Sequence, residues 1–234
     1  MLLEGVIPLK RVFALILALI LALILAVSLA GCGKKEEAEI KEPVDLDESD
    51  DIHYEELNVE FVVGERSTAE LMRMQKTFPA ALRDALAEQH CIVDTINLTF
   101  GTSPDATAVA MREGSLNVAF LPADAYLYAF MPMKLVALEN APVKASSLFE
   151  DGAFPNVPDL DRDDLIYRDA VVLRESAHEP FVKAFVAALT ALCADADGSA
   201  ELQHYGCASY LTSGDLDALL EPYHAYLRYL RSLE

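Results

Sequence analysis

The sequence predicts a single α/β domain over residues 57–234, built on a mainly parallel sheet with helices on both faces. Apolar runs alternate with helical segments in the order strand, helix, strand, helix, strand, which is typical of parallel sheets with helical crossovers. The run from Leu116 to Leu121 holds one polar residue, as expected of a strand buried on both faces. The length of this segment fits one compact domain and scarcely two.

The first strand and helix are predicted from residues 57–87. Residues 57–63 alternate between apolar and polar side chains, which indicates a strand. Ser67 is followed three positions later by Glu70, a spacing that predicts a capping box at a helix start. Pro79 lies inside the helical pattern and is expected to kink or split the helix. The apolar residues on one face of this helix are Leu71, Met74, Phe78, Leu82 and Leu86.

The second strand and helix come next along the chain. Residues 96–100 alternate as a strand does, and Ser103 and Pro104 suit the N-cap and first position of a helix that ends near Gly114. After the buried strand, residues 122–128 predict a short helix and residues 134–138 a further strand.

The C-terminal part begins with a segment of different composition. Residues 139–164 are rich in Pro, Asp, Ser and Asn without a clear period, which predicts a connector. Residues 166–173 predict a further strand. Helices are expected over residues 180–192, near Ser199, and from about Gly214.

The N-terminus resembles the signal of a bacterial lipoprotein. Lys10 and Arg11 close a basic leader, and residues 12–29 hold no charged side chain. The run ends in the tetrapeptide Leu-Ala-Gly-Cys, which resembles a lipobox with Cys32 as the lipidated residue. The alternative is an uncleaved anchor, because about 18 apolar residues can just span a bilayer.

Lipidation of Cys32 implies a protein held on the extracytoplasmic face of the cell membrane by acyl chains, without spanning the lipid bilayer. We therefore expect a signal peptide over residues 1–31. Residues 32–56 are rich in Lys, Glu and Asp with almost no apolar clusters, which predicts an acidic flexible tether.

The charge of the chain limits its partners. The formal net charge is −20, which argues against nucleic acid as a ligand. Such a charge gives no general attraction for an anion either, so an anion site would depend on local hydrogen-bond donors.

The cysteines and histidines limit the disulfides and metal sites that the chain can form. Export permits disulfides, and Cys193 and Cys207 bracket a short loop that a disulfide could close. Cys91 would then be left over and is expected to be buried rather than reactive. The five histidines are scattered without ligand spacing, so no metal site is predicted. We find no nucleophile elbow, no Cys–His pair and no Gly-rich phosphate loop, so the sequence predicts neither an enzyme nor a cofactor.

Two stretches resemble the periplasmic phosphate-, phosphite- and phosphonate-binding proteins of ABC importers. The first is Gly-Thr-Ser at residues 101–103 before a helix, followed by Glu-Gly-Ser-Leu-Asn-Val-Ala-Phe-Leu-Pro at residues 113–122 and by Tyr126. The second, residues 164–172, resembles the segment where that family's chain returns to its first lobe. The resemblance implies a type II periplasmic-binding-protein fold, a small oxyanion as ligand and an ABC permease as partner.

The resemblance also implies that this chain lacks the second lobe of the family. In that family the anion lies between two α/β lobes, and the second lobe is inserted in the first. Here the connector over residues 130–164 is too short for an insertion of about 100 residues. The sequence therefore predicts one three-layer lobe with a mainly parallel sheet and one antiparallel return strand.

The candidate ligand-binding residues are Ser67, Thr102, Ser103 and Tyr126. The two serines are expected at the carboxyl edge of the sheet, where helix N-termini offer unpaired backbone N–H groups. The resemblance adds Thr102 and Tyr126. Alternatively, the serines are ordinary N-caps and Tyr126 is an ordinary packed aromatic residue.

Two functions follow from these observations. The first is a membrane-anchored solute-binding lipoprotein of a phosphate- or phosphonate-type ABC importer. The second is a single-lobe relative that does not bind the anion tightly and contacts a transporter or another envelope protein, or is a decayed copy.

Overall fold

The computed structural model describes residues 51–63, 67–128, 133–149, 154–194 and 209–234. The predicted signal peptide, Cys32, most of the predicted tether, the helix near Ser199 and Cys207 lie outside these ranges. None of the helices in the described ranges is long and apolar enough to cross a membrane.

A six-stranded sheet has helices packed on both of its faces. Its strand order is β2-β1-β3-β7-β4-β8. The strands of this sheet are β1 (Ile52–Val62), β2 (Cys91–Gly101), β3 (Val118–Pro122), β4 (Met133–Glu139), β7 (Asp169–Arg174) and β8 (Tyr210–Leu211), while β5 (Val143–Lys144) and β6 (Leu165–Ile166) form a separate pair. The α-helices are α1 (Thr68–Ala87), α2 (Pro104–Arg112), α3 (Ala123–Tyr128), α4 (Glu179–Ala194) and α5 (Leu216–Arg231), and residues Ala145–Leu148 form a 3₁₀ helix.

The strand directions confirm the predicted fold class. Strand β1 runs parallel to both β2 and β3. Strand β7 is antiparallel to both β3 and β4, so it is the predicted return strand. The short strand β8, which the sequence did not predict, pairs antiparallel with β4.

The boundary between tether and domain lies earlier than predicted. Strand β1 begins at Ile52 instead of Leu57, because Ile52 to Tyr54 pair residue for residue with Cys91 to Val93 of β2. Tyr54 is buried and its ring packs against Phe181 of α4, with 4.8 Å between the ring centroids. The last residues assigned to the tether therefore belong to the sheet.

Helices α1 and α4 cover one face of the sheet. Three aromatic rings lie at the centre of this layer. Phe61 of β1 stacks on Phe120 of β3 with 3.9 Å between centroids, and Phe78 of α1 meets both rings edge-on. These rings, together with the fully buried Met74, Leu82 and Leu86, hold α1 on the sheet.

The opposite face carries α2, α3 and α5. The side chains that point to this face alternate along their strands with those that face α1 and α4. They are Ala119 and Leu121 of β3 and Val172 of β7. Met111 of α2 packs in the same cluster, and Leu220 of α5 packs nearby against Ala123 and Leu138. The sheet is therefore the middle of three layers.

The described residues between β4 and β7 form no second α/β lobe. They form the β5–β6 pair and the 3₁₀ helix, which pack against α5 in a small cluster of their own. Ile166 is fully buried in that cluster beside Ala225 of α5. This part of the chain lies against the last helix of the lobe.

The prediction that Pro79 splits the first helix is wrong. Helix α1 runs from Thr68 to Ala87 with Pro79 inside it. A proline within a helix costs about 3 kcal/mol. Phe78 and Leu82, on either side of it, are completely buried against the sheet. Burial of these two side chains offsets the cost of the proline.

We expect the substitution Phe78→Ala to lower the free energy of unfolding by about 3–5 kcal/mol, because it empties the space against two buried rings. Urea unfolding followed by circular dichroism measures this change. Met72→Ala on the same helix is the control, since Met72 is 57% exposed and should change stability by less than about 0.5 kcal/mol. Equal losses in both variants would contradict the assigned packing.

Candidate functional site

The candidate site lies at the carboxyl edge of the three parallel strands. Val62 of β1 pairs with Gly101 of β2, and Phe61 pairs with Phe120 of β3, so the three strands end close together. Each strand is followed by a helix, α1, α2 or α3. Three helix starts at one sheet edge provide the arrangement that favours an anion in α/β folds.

Ser67 caps α1 through the predicted capping box. Its hydroxyl accepts a hydrogen bond from the Glu70 N–H at 3.4 Å, and its own N–H donates to Glu70 Oε2 at 2.7 Å. The Ser67 hydroxyl also donates to the same carboxylate oxygen at 2.7 Å. The Glu70 carboxylate therefore already uses the donors of Ser67.

Ser103 caps α2 as predicted. Its hydroxyl accepts from the Ala106 N–H at 3.4 Å, and Pro104 is the first helical residue. Thr102 precedes it and is exposed. At the other end of α2, Gly114 takes a φ of +75°, which is the conformation that favours glycine after a helix.

A carboxylate that the sequence analysis did not single out lies beside this helix start. Glu60 of β1 points to the α2 face, and its Oε1 accepts from the Thr107 hydroxyl at 2.6 Å. Its Oε2 accepts from the Thr99 hydroxyl at 3.1 Å. Thr107 is completely buried, whereas Glu60 is half-buried. No local pattern reveals this contact, because the register between strands brings the three residues together.

Gly101 provides the space for that carboxylate. A Cβ atom at Gly101 would lie 2.6 Å from both Glu60 Oε1 and Thr107 Oγ1. Real Cβ atoms do not approach other atoms this closely, so any larger residue would displace Glu60 or Thr107. We call Thr99, Gly101 and Thr107 the hydroxyl cradle.

Tyr126 of α3 lies against the apolar layer between α2 and the sheet, and its hydroxyl contacts α5. The hydroxyl donates to Asp217 Oδ1 at 2.8 Å. Burial raises the pKa of Tyr126 well above its usual range, and the hydrogen bond and negative charge of Asp217 raise this pKa further. Tyr126 is therefore a neutral donor at physiological pH, and its donor is used within the chain.

Two backbone N–H groups at the start of α3 already donate hydrogen bonds within the chain. The Ala123 N–H donates to the Arg168 carbonyl at 2.6 Å. The Ala125 N–H donates to Asp124 Oδ1 at 2.8 Å. With six residues, α3 is too short to contribute much of a helix dipole.

The structure thus brings Ser67, Thr102 and Ser103 to one edge of the sheet, and it turns the hydroxyl of Tyr126 toward α5. Three carboxylates of the chain, those of Glu60, Glu70 and Asp217, accept hydrogen bonds that an external anion could otherwise receive. The ligand role of the four predicted residues stays a prediction.

The cysteines in the described ranges carry free thiols. Cys91 is completely buried, and burial raises its pKa to about 12, so it remains a thiol at neutral pH. Cys193 is half-buried, and burial raises the pKa of its thiol as well. Its predicted disulfide partner, Cys207, lies outside the described residues. Within the described ranges, no three His, Cys, Asp or Glu residues are placed to hold a metal ion.

Comparisons with known proteins find similarity at the level of the fold. The sequence matches no protein-family model and no curated protein. Among solved structures, PhnD1 from Prochlorococcus marinus in complex with methylphosphonate is similar with a TM-score of 0.54 and 8% identity, over 76% of this chain and 98% of that protein.

Two further structures agree with this result. A Xanthomonas citri protein bound to chloride ion has a TM-score of 0.52 and 8% identity, over 74% of this chain and 98% of its own. A binding protein component of an ABC phosphonate transporter from Pseudomonas aeruginosa has a TM-score of 0.51 and 11% identity, over 72% of this chain and 84% of its own. At such low identity these similarities establish the fold, which is that of a single periplasmic-binding-protein-like lobe.

We expect Gly101→Ala to lower the free energy of unfolding by about 1–3 kcal/mol, because the added methyl group overfills the cradle. In a Glu60→Ala background the same change should cost less, because one of the two atoms that the methyl group would displace is gone and only Thr107 Oγ1 remains. Urea unfolding of the two single variants and the double variant measures the coupling between these residues. Additive effects would show that Glu60 does not fill this space.

We expect the stability of the protein to fall as the pH rises above about 10, and to fall less in Tyr126→Phe. The raised pKa of Tyr126 means that the unfolded chain loses this proton first, so the contribution of Tyr126 is fully present below its ordinary value of 10.0 and is lost above it. Urea unfolding at pH 8, 10 and 11 tests this. Asp217→Asn should also flatten the pH dependence, and an unchanged slope in both variants would contradict the assigned contact.

Proposed function

We propose that this protein is a membrane-anchored, single-lobe solute-binding lipoprotein of a phosphate- or phosphonate-type ABC importer. The observation that carries the proposal is the sheet with strand order β2-β1-β3-β7-β4 and an antiparallel return strand, which places the Gly-Thr-Ser turn and the start of α2 at the carboxyl edge of its parallel strands. Proteins that share this fold include complexes with methylphosphonate and with chloride, both anions.

The ligand would be held by neutral donors at this edge. Helix α2 has nine residues, begins directly after the Gly-Thr-Ser turn, and presents the positive end of its dipole there. The hydroxyl of Thr102 is exposed at the same turn. Because the chain carries a net charge of −20, these local donors must supply the attraction.

A single lobe limits the affinity. Tight binding of a small ligand normally requires that most of its surface be enclosed, and closure about a hinge requires two lobes. The edge of one lobe leaves one side of the ligand in water. We therefore propose that the lobe binds the anion weakly and delivers it to a membrane permease over a short distance.

Lipid on Cys32 would keep that distance short. The thiol would carry acyl chains on the extracytoplasmic face of the membrane, and the acidic segment up to β1 would connect them to the lobe. In this proposal the protein binds and presents a solute and catalyses no reaction.

A second candidate function is an envelope interaction protein that does not bind the anion tightly. The observation in its favour is that Glu60, Glu70 and Asp217 already accept hydrogen bonds from the candidate site. The fold of the similar structures supports the first function.

We expect calorimetric titration of the full chain in detergent to give saturable heat with at least one of phosphate, phosphite, methylphosphonate and 2-aminoethylphosphonate. A Kd of about 1 mM corresponds to about −4 kcal/mol, which such a titration can detect. Thr102→Ala should weaken binding several-fold, and Thr95→Ala, an exposed threonine in the middle of β2, is the matched control. Absence of heat at millimolar concentrations of all four ligands would contradict the proposal and favour the second function.

We expect an alkyne analogue of palmitate to label the protein in bacterial cells and to be absent from a Cys32→Ser variant. In the predicted lipobox the thiol of Cys32 accepts the lipid, and the hydroxyl of a serine at this position cannot replace it. Fractionation of the labelled cells should place the wild-type protein with the membranes. Equal labelling of the two proteins would show that Cys32 is not the lipid acceptor.

A further inference from the structure

The Glu60 carboxylate lies beside the first turns of α2, the helix that begins directly after the Gly-Thr-Ser turn. It receives two hydroxyl hydrogen bonds, from Thr107 at 2.6 Å and from Thr99 at 3.1 Å. The shorter bond comes from a completely buried side chain. Hydrogen bonds to an ionised acceptor are shorter and stronger than neutral ones, so this is a specific contact.

The backbone next to the cradle is shaped around the same group. Gly101 leaves the volume that Glu60 Oε1 fills, and any Cβ atom there would be in collision with it. Gly101 also starts the turn that leads to the N-cap Ser103 of α2. The Glu60 carboxylate therefore lies close to the start of α2, and the start of a helix is where an external anion would also be favoured.

A carboxylate resembles a phosphate or phosphonate group in the way its oxygens accept hydrogen bonds. Both present oxygens that share a negative charge and accept hydrogen bonds from hydroxyl and N–H groups. An oxyanion at this turn would be repelled by the half-buried negative charge that Glu60 holds against α2, and charges interact more strongly in such a setting than in water.

We propose that Glu60 tunes the affinity of this edge: its carboxylate, held in the hydroxyl cradle, places a negative charge beside the start of α2 and lowers the affinity for external oxyanions. This inference rests on the proposed function, since it concerns the same anion site. Glu60 thereby sets how tightly the lobe holds its solute, and favours release over retention.

The test is calorimetric titration of the full chain in detergent with methylphosphonate at pH 7.5, comparing wild type with Glu60→Gln. Glutamine keeps the shape of the side chain and an oxygen that can accept from Thr107, and it removes the charge. We expect the affinity of Glu60→Gln to exceed that of the wild type at least about tenfold, since a nearby like charge has been removed.

Glu88→Gln is the matched control for charge. Glu88 is exposed after the last residue of α1, at the end of that helix away from the candidate site, so this variant makes the same substitution and removes the same charge without touching the cradle or the start of α2. The affinity of this control variant for methylphosphonate should differ from that of the wild type by less than about threefold, because salt screens exposed charges. Circular dichroism verifies that each variant is folded. Should Glu60→Gln fail to fold, Glu60→Thr, which vacates the cradle with a residue that favours strands, takes its place.

Each outcome decides the inference. A tenfold gain in Glu60→Gln with little change in Glu88→Gln supports it. Equal or weaker binding in a folded Glu60→Gln than in the wild type overturns it and leaves the proposed function intact. Equal gains in both variants also overturn it, because net charge alone would then explain them. Absence of binding by wild type and folded Glu60→Gln alike overturns both the inference and the proposed function.

Discussion

The stacked contact between Phe61 and Phe120 is the interaction on which the rest of the structure depends. It joins β1 to β3 in register, and the edge-on ring of Phe78 attaches α1 to the same point. Successive residues of a strand point to opposite faces of the sheet. Once Phe61 faces α1, its neighbour Glu60 has to face α2, where it reaches the Thr107 hydroxyl. The core thus determines the chemistry of the candidate site.

The electrostatics of the site follow from that placement. An acidic chain can satisfy donors near this edge with its own carboxylates. Glu70 accepts from the Ser67 N–H, and Glu60 and Asp217 accept from the hydroxyls of Thr107 and Tyr126. Such internal bonds stabilise the edge without an external ligand. They also oppose any anion that comes close. Weak, readily reversible binding is the behaviour expected of a single lobe with this edge.

Local spacing in the sequence is enough to predict the capping box of Ser67 and Glu70 and the N-cap at Ser103, and both are confirmed. The antiparallel return strand, which followed from the family resemblance, is confirmed as β7. The contact of Glu60 with Thr107 spans 47 residues and that of Tyr126 with Asp217 spans 91, so neither could be found without the strand register and helix packing. Pro79 was misjudged because burial of Phe78 and Leu82 outweighs the local cost of a proline. Lipidation of Cys32 stays a prediction.

We propose that an oxyanion binds at the carboxyl edge of this lobe. An NMR titration of the ¹⁵N-labelled full chain in detergent with methylphosphonate, up to millimolar concentration, tests this proposal. The largest amide shifts are expected over residues 101–106, at the turn and first turn of α2, with smaller shifts near Ser67. Shifts confined to α5 or to the β5–β6 pair, or none at all, would contradict it.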